Sequence, residues 1–381
     1  MSTAYRRLQQ RLDELPVPFP ASETGSEIRL LKALFSEREA EVAVHLSAVP
    51  EPVETVARRV IDIVSHQQTL STMLEALAER GAINSTVRRR RGRHVTCYGL
   101  APLVVGMFEF QVDKLTPEFV RDFHDYSDHE FQGAVVGAPT PQLRTVPVGA
   151  AISGTRAVGS YDDIRAYIRN SPGPFAVMNC VCRQSAELMG EACTTSSTHE
   201  TCLTVGSAAA STVTGGASRR ISRGEVIEIL DRAELEGHVL QPQNSQEPAF
   251  ICCCCRDCCE VLRNARKLPR PSDAIPTTHR AVVDSGACIA CGACVRRCPM
   301  DAVELDGDAA QTAAQVMEER CIGCGVCVTR CPTDAIYLAR RDDVRKPPKT
   351  TDAMYLKMFR DRFGLLGLAR AGVRQLLHRK V

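Results

Sequence analysis

The sequence predicts a multidomain α+β protein, on three observations. Residues 26–100 read as short amphipathic helices followed by two strands, residues 145–252 mix strand-like and helical segments, and residues 288–331 repeat one cysteine spacing twice. At 381 residues the chain exceeds the roughly 100–200 of a single domain. It divides into an arm (1–24), a helical and stranded domain (25–110), a Cys-rich α+β middle domain (111–275), a module holding the repeat (276–342) and a basic C-terminal helix (343–381).

Composition narrows the function classes. A formal net charge of +2 gives no global pull towards nucleic acid or anionic lipid, so such binding needs a local patch. Nineteen Cys in tight clusters in a long chain favour metal ligation in a reducing compartment over a disulfide scaffold. The N-terminus is polar, and no run reaches the roughly 18 apolar residues of a membrane span. A cytoplasmic protein is expected.

Residues 1–24 are charged and then broken by Pro16, Pro18 and Pro20, the pattern of a flexible arm. Ile28, Leu31, Leu34 and Phe35 form one helical stripe, 37–46 a second helix and 52–64 a third, with Pro52 at its entry. A fourth, 69–80, carries Leu70, Met73, Leu74 and Leu77 and stops at Gly81, a natural left-handed cap. Strands at 82–87 and 95–100 follow, joined by Arg88, Arg89, Arg90, Arg91 and Arg93. This order resembles a winged helix, which implies a module that contacts DNA or protein through a basic wing. Residues 101–110 form an apolar connection and 117–126 a helix with Phe119 and Phe123 inward. In the middle domain, 145–152 and 175–181 look strand-like, 161–168 and 183–189 helical. Residues 222–236 form a helix with capping-box spacing at Ser222 and Glu225 and a stop at Gly237, and 250–252 a strand.

Cys288, Cys291, Cys294 and Cys298 form C-x2-C-x2-C-x3-C followed by Pro299, and Cys321, Cys324, Cys327 and Cys331 repeat it before Pro332, offset by 33 residues. The match extends to Ile289 and Ile322, Gly292 and Gly325, Arg297 and Arg330, Leu305 and Leu338, so two pseudo-symmetric halves are expected. Three Cys at intervals of three let a short loop wrap one face of a cube, and the fourth ligand comes from elsewhere. Four-thiolate zinc, the alternative, usually takes two C-x2-C pairs across a longer loop. The motif resembles the two-cluster bacterial-type ferredoxins. That resemblance implies two [4Fe–4S] clusters with crossing ligands: Cys288, Cys291, Cys294 and Cys331 for one, and Cys321, Cys324, Cys327 and Cys298 for the other.

Eleven Cys lie outside the repeat. Cys97 reads as an ordinary buried thiol. Six Cys within residues 252–259 exceed what packing needs, and soft thiolates attract iron or zinc. Candidate ligands for a further metal or cluster are Cys180, Cys182, Cys193 and Cys202, with Cys252, Cys255, Cys258 or Cys259 completing the site or forming a second, and His199 a weaker choice. The whole order resembles a group of 4Fe–4S binding proteins from anaerobic and sulfur- or metal-respiring bacteria. This implies cluster binding and assigns neither partner nor reaction.

Residues 355–377 set Met358, Phe359, Phe363 and Leu366 among Lys357, Arg360, Arg362, Arg370 and Arg374, a basic amphipathic helix interrupted by Gly364 and Gly367. It either packs on its own protein or docks on a membrane surface or redox partner. Gly154 with Thr155, and Gly215 with Gly216, are too isolated for phosphate loops, and no substrate base accompanies the repeat. The expected role is electron transfer to or from a partner oxidoreductase, as a component rather than a stand-alone enzyme. A redox-sensing DNA-binding regulator is the alternative.

Overall fold

The computed structural model describes residues 3–90, 92–152, 161–307, 312–342, 344–376 and 380. Arg91, Gly154, Thr155 and Leu377 lie outside them. The fold mixes helix and sheet, as an α+β class requires, and splits into two compact units. One comprises Met1–Pro139, Thr214–Ala217 and Tyr355–Val381; the other Thr140–Val213 and Ser218–Met354.

The first unit opens with α1 (Ala4–Leu12), capped by Thr3, whose hydroxyl accepts from the Arg6 N–H. Leu8 and Leu12 of α1 are buried, as are Leu15, Val17 and Phe19 beyond it. The described part of the expected arm, residues 3–24, is therefore packed rather than flexible. The prolines fix an extended path that turns Val17 and Phe19 inward instead of loosening the chain. Then come α2 (Ser26–Leu34), α3 (Glu37–Ala43), β1 (Glu51–Pro52), α4 (Val53–Ala57) and α5 (Gln67–Arg80). A full capping box of Ser36 and Glu39 starts α3. The helix expected at 52–64 stops at Ala57, where tighter bonds take over: Arg59 N to Val56 O, and Ile63 N to Val60 O, both 2.9 Å. Gly81 caps α5 at φ 79°, and a Cβ there would lie 2.4 Å from Phe110 Cβ. Strands β2 (Ile83–Arg90) and β3 (Arg93–Leu100) then pair, giving an antiparallel sheet in the order β1-β3-β2. Cys97 is fully buried in β3. In α6 (Pro117–Tyr126), Phe123 stacks on Phe108 at 3.6 Å, and Tyr126 donates to Pro20 O at 2.8 Å.

The second unit holds a five-stranded antiparallel sheet. Its strands are β4 (Phe175–Asn179), β5 (Glu200–Val205), β6 (Arg219–Ile221), β7 (Val239–Pro242) and β8 (Phe250–Cys254), in the order β6-β4-β5-β8-β7. Helices α7 (Ile164–Asn170), α8 (Val181–Leu188), α9 (Arg223–Glu236) and α10 (Glu260–Arg266) accompany it. Half of the expected capping box forms on α9: Ser222 Oγ accepts from Glu225 N at 3.1 Å, while the Glu225 carboxylate turns to Arg219 at 2.7 Å. The strand expected at 145–152 is reduced to a single bridge, Val146 with Leu240, because Pro147 has no N–H and Val148 N goes to Cys324 O at 3.0 Å. The same apolar core runs from Val177, Leu203, Ile229 and Leu240 to Met300, Ile322 and Val326 of the repeat module, so module and sheet share one interior.

Residues Thr351–Leu376 form α11, which leaves helical geometry at Gly364 (φ 69°) but not at Gly367. Arg362 donates to Leu15 O and to Asp13 Oδ1, both at 2.7 Å, within the first unit. Beyond the break Leu365 and Leu366 are 72% and 77% exposed. Among the described residues, no helix is long and apolar enough to cross a membrane.

Candidate metal centre

The repeat module is built from two small antiparallel ribbons that interlock its halves. Strand β9 (His279–Val283), before the first motif, pairs with β12 (Ile336–Arg340), after the second; β10 (Val303–Asp306), after the first motif, pairs with β11 (Ala313–Val316), before the second. Each ribbon carries the end of one half to the start of the other. Two hollows result. One, of about 350 Å3, is lined by Cys288, Cys291, Cys294 and Cys331 with Ile289 and Leu305 at its rim. The other, of about 330 Å3, is lined by Cys298, Cys321, Cys324 and Cys327.

Local backbone explains why the chain turns this way. Ala290 (φ 53°) and Gly292 (φ 68°) wind the first loop left-handed, and Gly323 (φ 63°) and Gly325 (φ 76°) the second. Asp301 and Asp334, behind the two Cys-Pro pairs, match at φ 51° and 52°. Backbone N–H groups aim at the sulfurs: Ala302 N at Cys298 Sγ (3.2 Å), Ala281 N at Cys321 Sγ (3.4 Å) and Ala314 N at Cys288 Sγ (3.4 Å). Such bonds stabilise charged sulfur. Burial pushes the Cys294, Cys298, Cys324 and Cys327 thiols up, so thiolates here need a cation beside them. At Cys331 burial also pushes upward, but the N–H groups of Thr333 and Ile336 outweigh it. The hollows differ in depth. Cys291 is exposed and Cys288 and Cys331 half-buried, whereas every Cys of the second hollow is buried.

These features fit an iron–sulfur group: soft donors, N–H bonds to sulfur and apolar walls. The spacing of the donors separates a cube from a single ion. Among the described residues, the only group of three or more metal-binding side chains whose donor atoms all lie within 4.8 Å of one another is elsewhere, at Cys193, Cys255, Asp257 and Cys258. The Cys around the two hollows are therefore spread wider than a single ion requires.

The middle-domain Cys fall into two sets. Cys180 and Cys182, where β4 runs into α8, and Cys259, at the start of α10, adjoin Cys202, Cys252 and Cys254 of the sheet. Cys202 and Cys252 are register partners across β5 and β8. Thiol contacts link Cys180 to Cys182, Cys182 to Cys259, Cys259 to Cys254, and Cys254 to Cys252, which also meets Cys202. Donation from Cys252 and Cys259 draws Cys254 down to about 6. The other set is Cys193, Cys255 and Cys258 around Asp257. There the Cys258 thiol and the Arg183 guanidinium hold Cys255 down to about 6, while Cys258 is pushed up.

Cys254 and Asp257 were not singled out from the sequence. The strand runs two residues past the expected 252, and its period of two puts Cys252 and Cys254 on one face, with Cys253 turned into the apolar core. The His199 carbonyl accepts from Cys180 N at 2.8 Å, while its ring Nε2 lies 3.2 Å from Glu187 Oε1.

Residues 281–338 match the family model of the 4Fe-4S dicluster domain. These residues are accordingly a 4Fe–4S ferredoxin-type domain, which supports iron–sulfur cluster binding by this part of the chain. No curated protein and no solved structure matches it.

Proposed function

We propose that the chain relays single electrons to or from a partner oxidoreductase through two [4Fe–4S] clusters, one held by Cys288, Cys291, Cys294 and Cys331, the other by Cys321, Cys324, Cys327 and Cys298. The observation that carries this is the composition of the hollows: each is lined by three Cys of one motif and the Cys-Pro cysteine of the other. Bound clusters would supply one-electron chemistry. The chain's part is to fix the sulfurs, direct N–H groups at them and grade their exposure. The shallow hollow, rimmed by exposed Ile289 and Leu305, suits contact with a redox protein, and the deep one suits onward transfer inside the unit. No base or nucleophile is required of either.

The test is electron transfer by the full chain, purified without oxygen and reduced, to a one-electron acceptor. Cys291→Ser and Cys324→Ser should each slow transfer at least tenfold; rates unchanged in both would contradict the relay.

A second reading has one observation in its favour. Arg88, Arg89, Arg90 and Arg93 are exposed on a hairpin that follows helices α2 to α5, as a DNA-binding wing would present them. On that reading the protein is a cluster-dependent regulator.

A further inference from the structure

The loop Cys255, Arg256, Asp257, Cys258 leaves β8 and meets Cys193 across the unit. The Cys193 sulfur lies 3.6 Å from Cys255 Sγ and 3.5 Å from Asp257 Oδ1, and Cys258 Sγ lies 3.6 Å from the same oxygen. Cys255 and Cys258 Sγ are 2.8 Å apart. Metal–sulfur bonds of about 2.3 Å and metal–oxygen bonds of about 2.0–2.2 Å in a tetrahedron put neighbouring donors roughly 3.5–3.8 Å apart. The first three separations have that value, and an ion between Cys255 and Cys258 would spread the fourth. A cube does not fit, because each thiolate would bind a different iron and the donors would stand farther apart.

We propose that Cys193, Cys255, Cys258 and Asp257 bind one zinc ion in a closed, structural S3O site, separate from the clusters of the repeat module. The carboxylate is already oriented for it: Asp257 Oδ2 accepts from Thr194 N at 2.6 Å and Thr194 Oγ1 at 2.8 Å, and Oδ1 from Thr195 Oγ1 at 3.2 Å. Such support of a ligand by outer groups is typical of metal sites. Three thiolates, a carboxylate and a divalent ion leave two negative charges, and the buried Arg183 lies against Cys255 to offset them. Four protein ligands leave no open position for substrate, so the site stabilises and does not catalyse. It also has something to hold in place. Arg256, within the loop, donates to the Cys298 carbonyl and to Asp301 Oδ1 at 2.6 Å, so the ion fixes a segment braced against the deep hollow.

Zinc, iron and sulfide analysis with zinc-edge X-ray absorption on the full chain, purified without oxygen, tests this independently of electron transfer. The expected result is about one zinc per chain with three sulfurs near 2.3 Å and one oxygen near 2.0–2.2 Å. Cys258→Ala should lose the zinc and keep its iron and sulfide. Asp257→Cys should keep the zinc and move its shell to four sulfurs. Absence of zinc from the wild-type protein, a shell of other composition, iron and sulfide lost with Cys258, or a Cys255–Cys258 disulfide in the isolated protein would each overturn the proposal; the wild-type spectrum decides even if a variant fails to fold.

Discussion

Gly323 and Ala290 occupy matching positions in the two halves, yet only one tolerates a side chain. A Cβ at Gly323 would lie 2.2 Å from His279 O, at φ 63°. Left-handed backbone alone costs about 1–2 kcal/mol for a residue with a Cβ, and the clash adds to it. Gly323→Ala should therefore deplete the deep site of iron, whereas Ala290→Gly should leave the shallow one filled; iron content and EPR of the two variants would show equal effects if the asymmetry were unimportant. The crossing ligands are tested by Cys298→Ser, which should alter the EPR signal of the cluster on Cys321, Cys324 and Cys327. An alteration confined to the other cluster would refute the assignment. His238 sets a pH dependence. It is fully buried, with Nε2 3.0 Å from Arg183 Nη2 and 3.5 Å from Glu236 Oε2. Burial first, then Arg183, push it down to about 3, against the opposing pull of Asp257. An unfolded His takes its proton near 6.5 and this one not until about 3, so stability falls as pH drops below about 6.5, by up to about 1.4 kcal/mol per pH unit. Denaturant midpoints should fall less for His238→Gln than for the wild type between pH 6.5 and 4.5; parallel curves would contradict this.

Among the elements, the periodic ones were legible. Stripes such as Leu70, Leu74 and Leu77 on α5 face inward with 0% exposure, and the ends of α5 and α9 fall where Gly81 and Gly237 stop them. What failed was decided by partners distant in sequence. Prolines 16, 18 and 20 suggested an arm because nothing local reveals that Val17 and Phe19 have a core to enter. At 145–152 the β-rich composition could not reveal that Val148 spends its N–H on Cys324. In the site the repeat spacing identified the thiols around both hollows, whereas the division of the middle-domain Cys into two sets depends on strand register and on Asp257, which spacing does not encode. The basic hairpin can be tested at this scale. Its charge is local in a chain of net charge +2, so any DNA affinity should be weak, non-specific and gone at physiological salt. Replacing Arg88, Arg89, Arg90 and Arg93 with Ala should leave electron transfer within twofold of wild type. Tight, redox-dependent duplex binding, abolished by those replacements, would instead favour the regulator.

In the molecule as a whole, the repeat module is not a detachable bead. Its core is continuous with the five-stranded sheet, Arg256 braces the turn at Cys298, and the Cys of the deep hollow are all buried where Cys291 of the shallow one is exposed. That gradient is what a relay needs, since one centre must meet a partner and the next must pass charge inward without exposing it to water. The relay requires that each of the two hollows hold a cube. Native mass spectrometry of the full chain, purified without oxygen, tests this most directly. The expected mass includes two or more [4Fe–4S] clusters, with one cluster lost in Cys294→Ala, a different one lost in Cys327→Ala, and two lost in the double variant. A wild-type mass with zinc ions in place of iron and sulfide, or with a single cluster that either replacement removes, would contradict it.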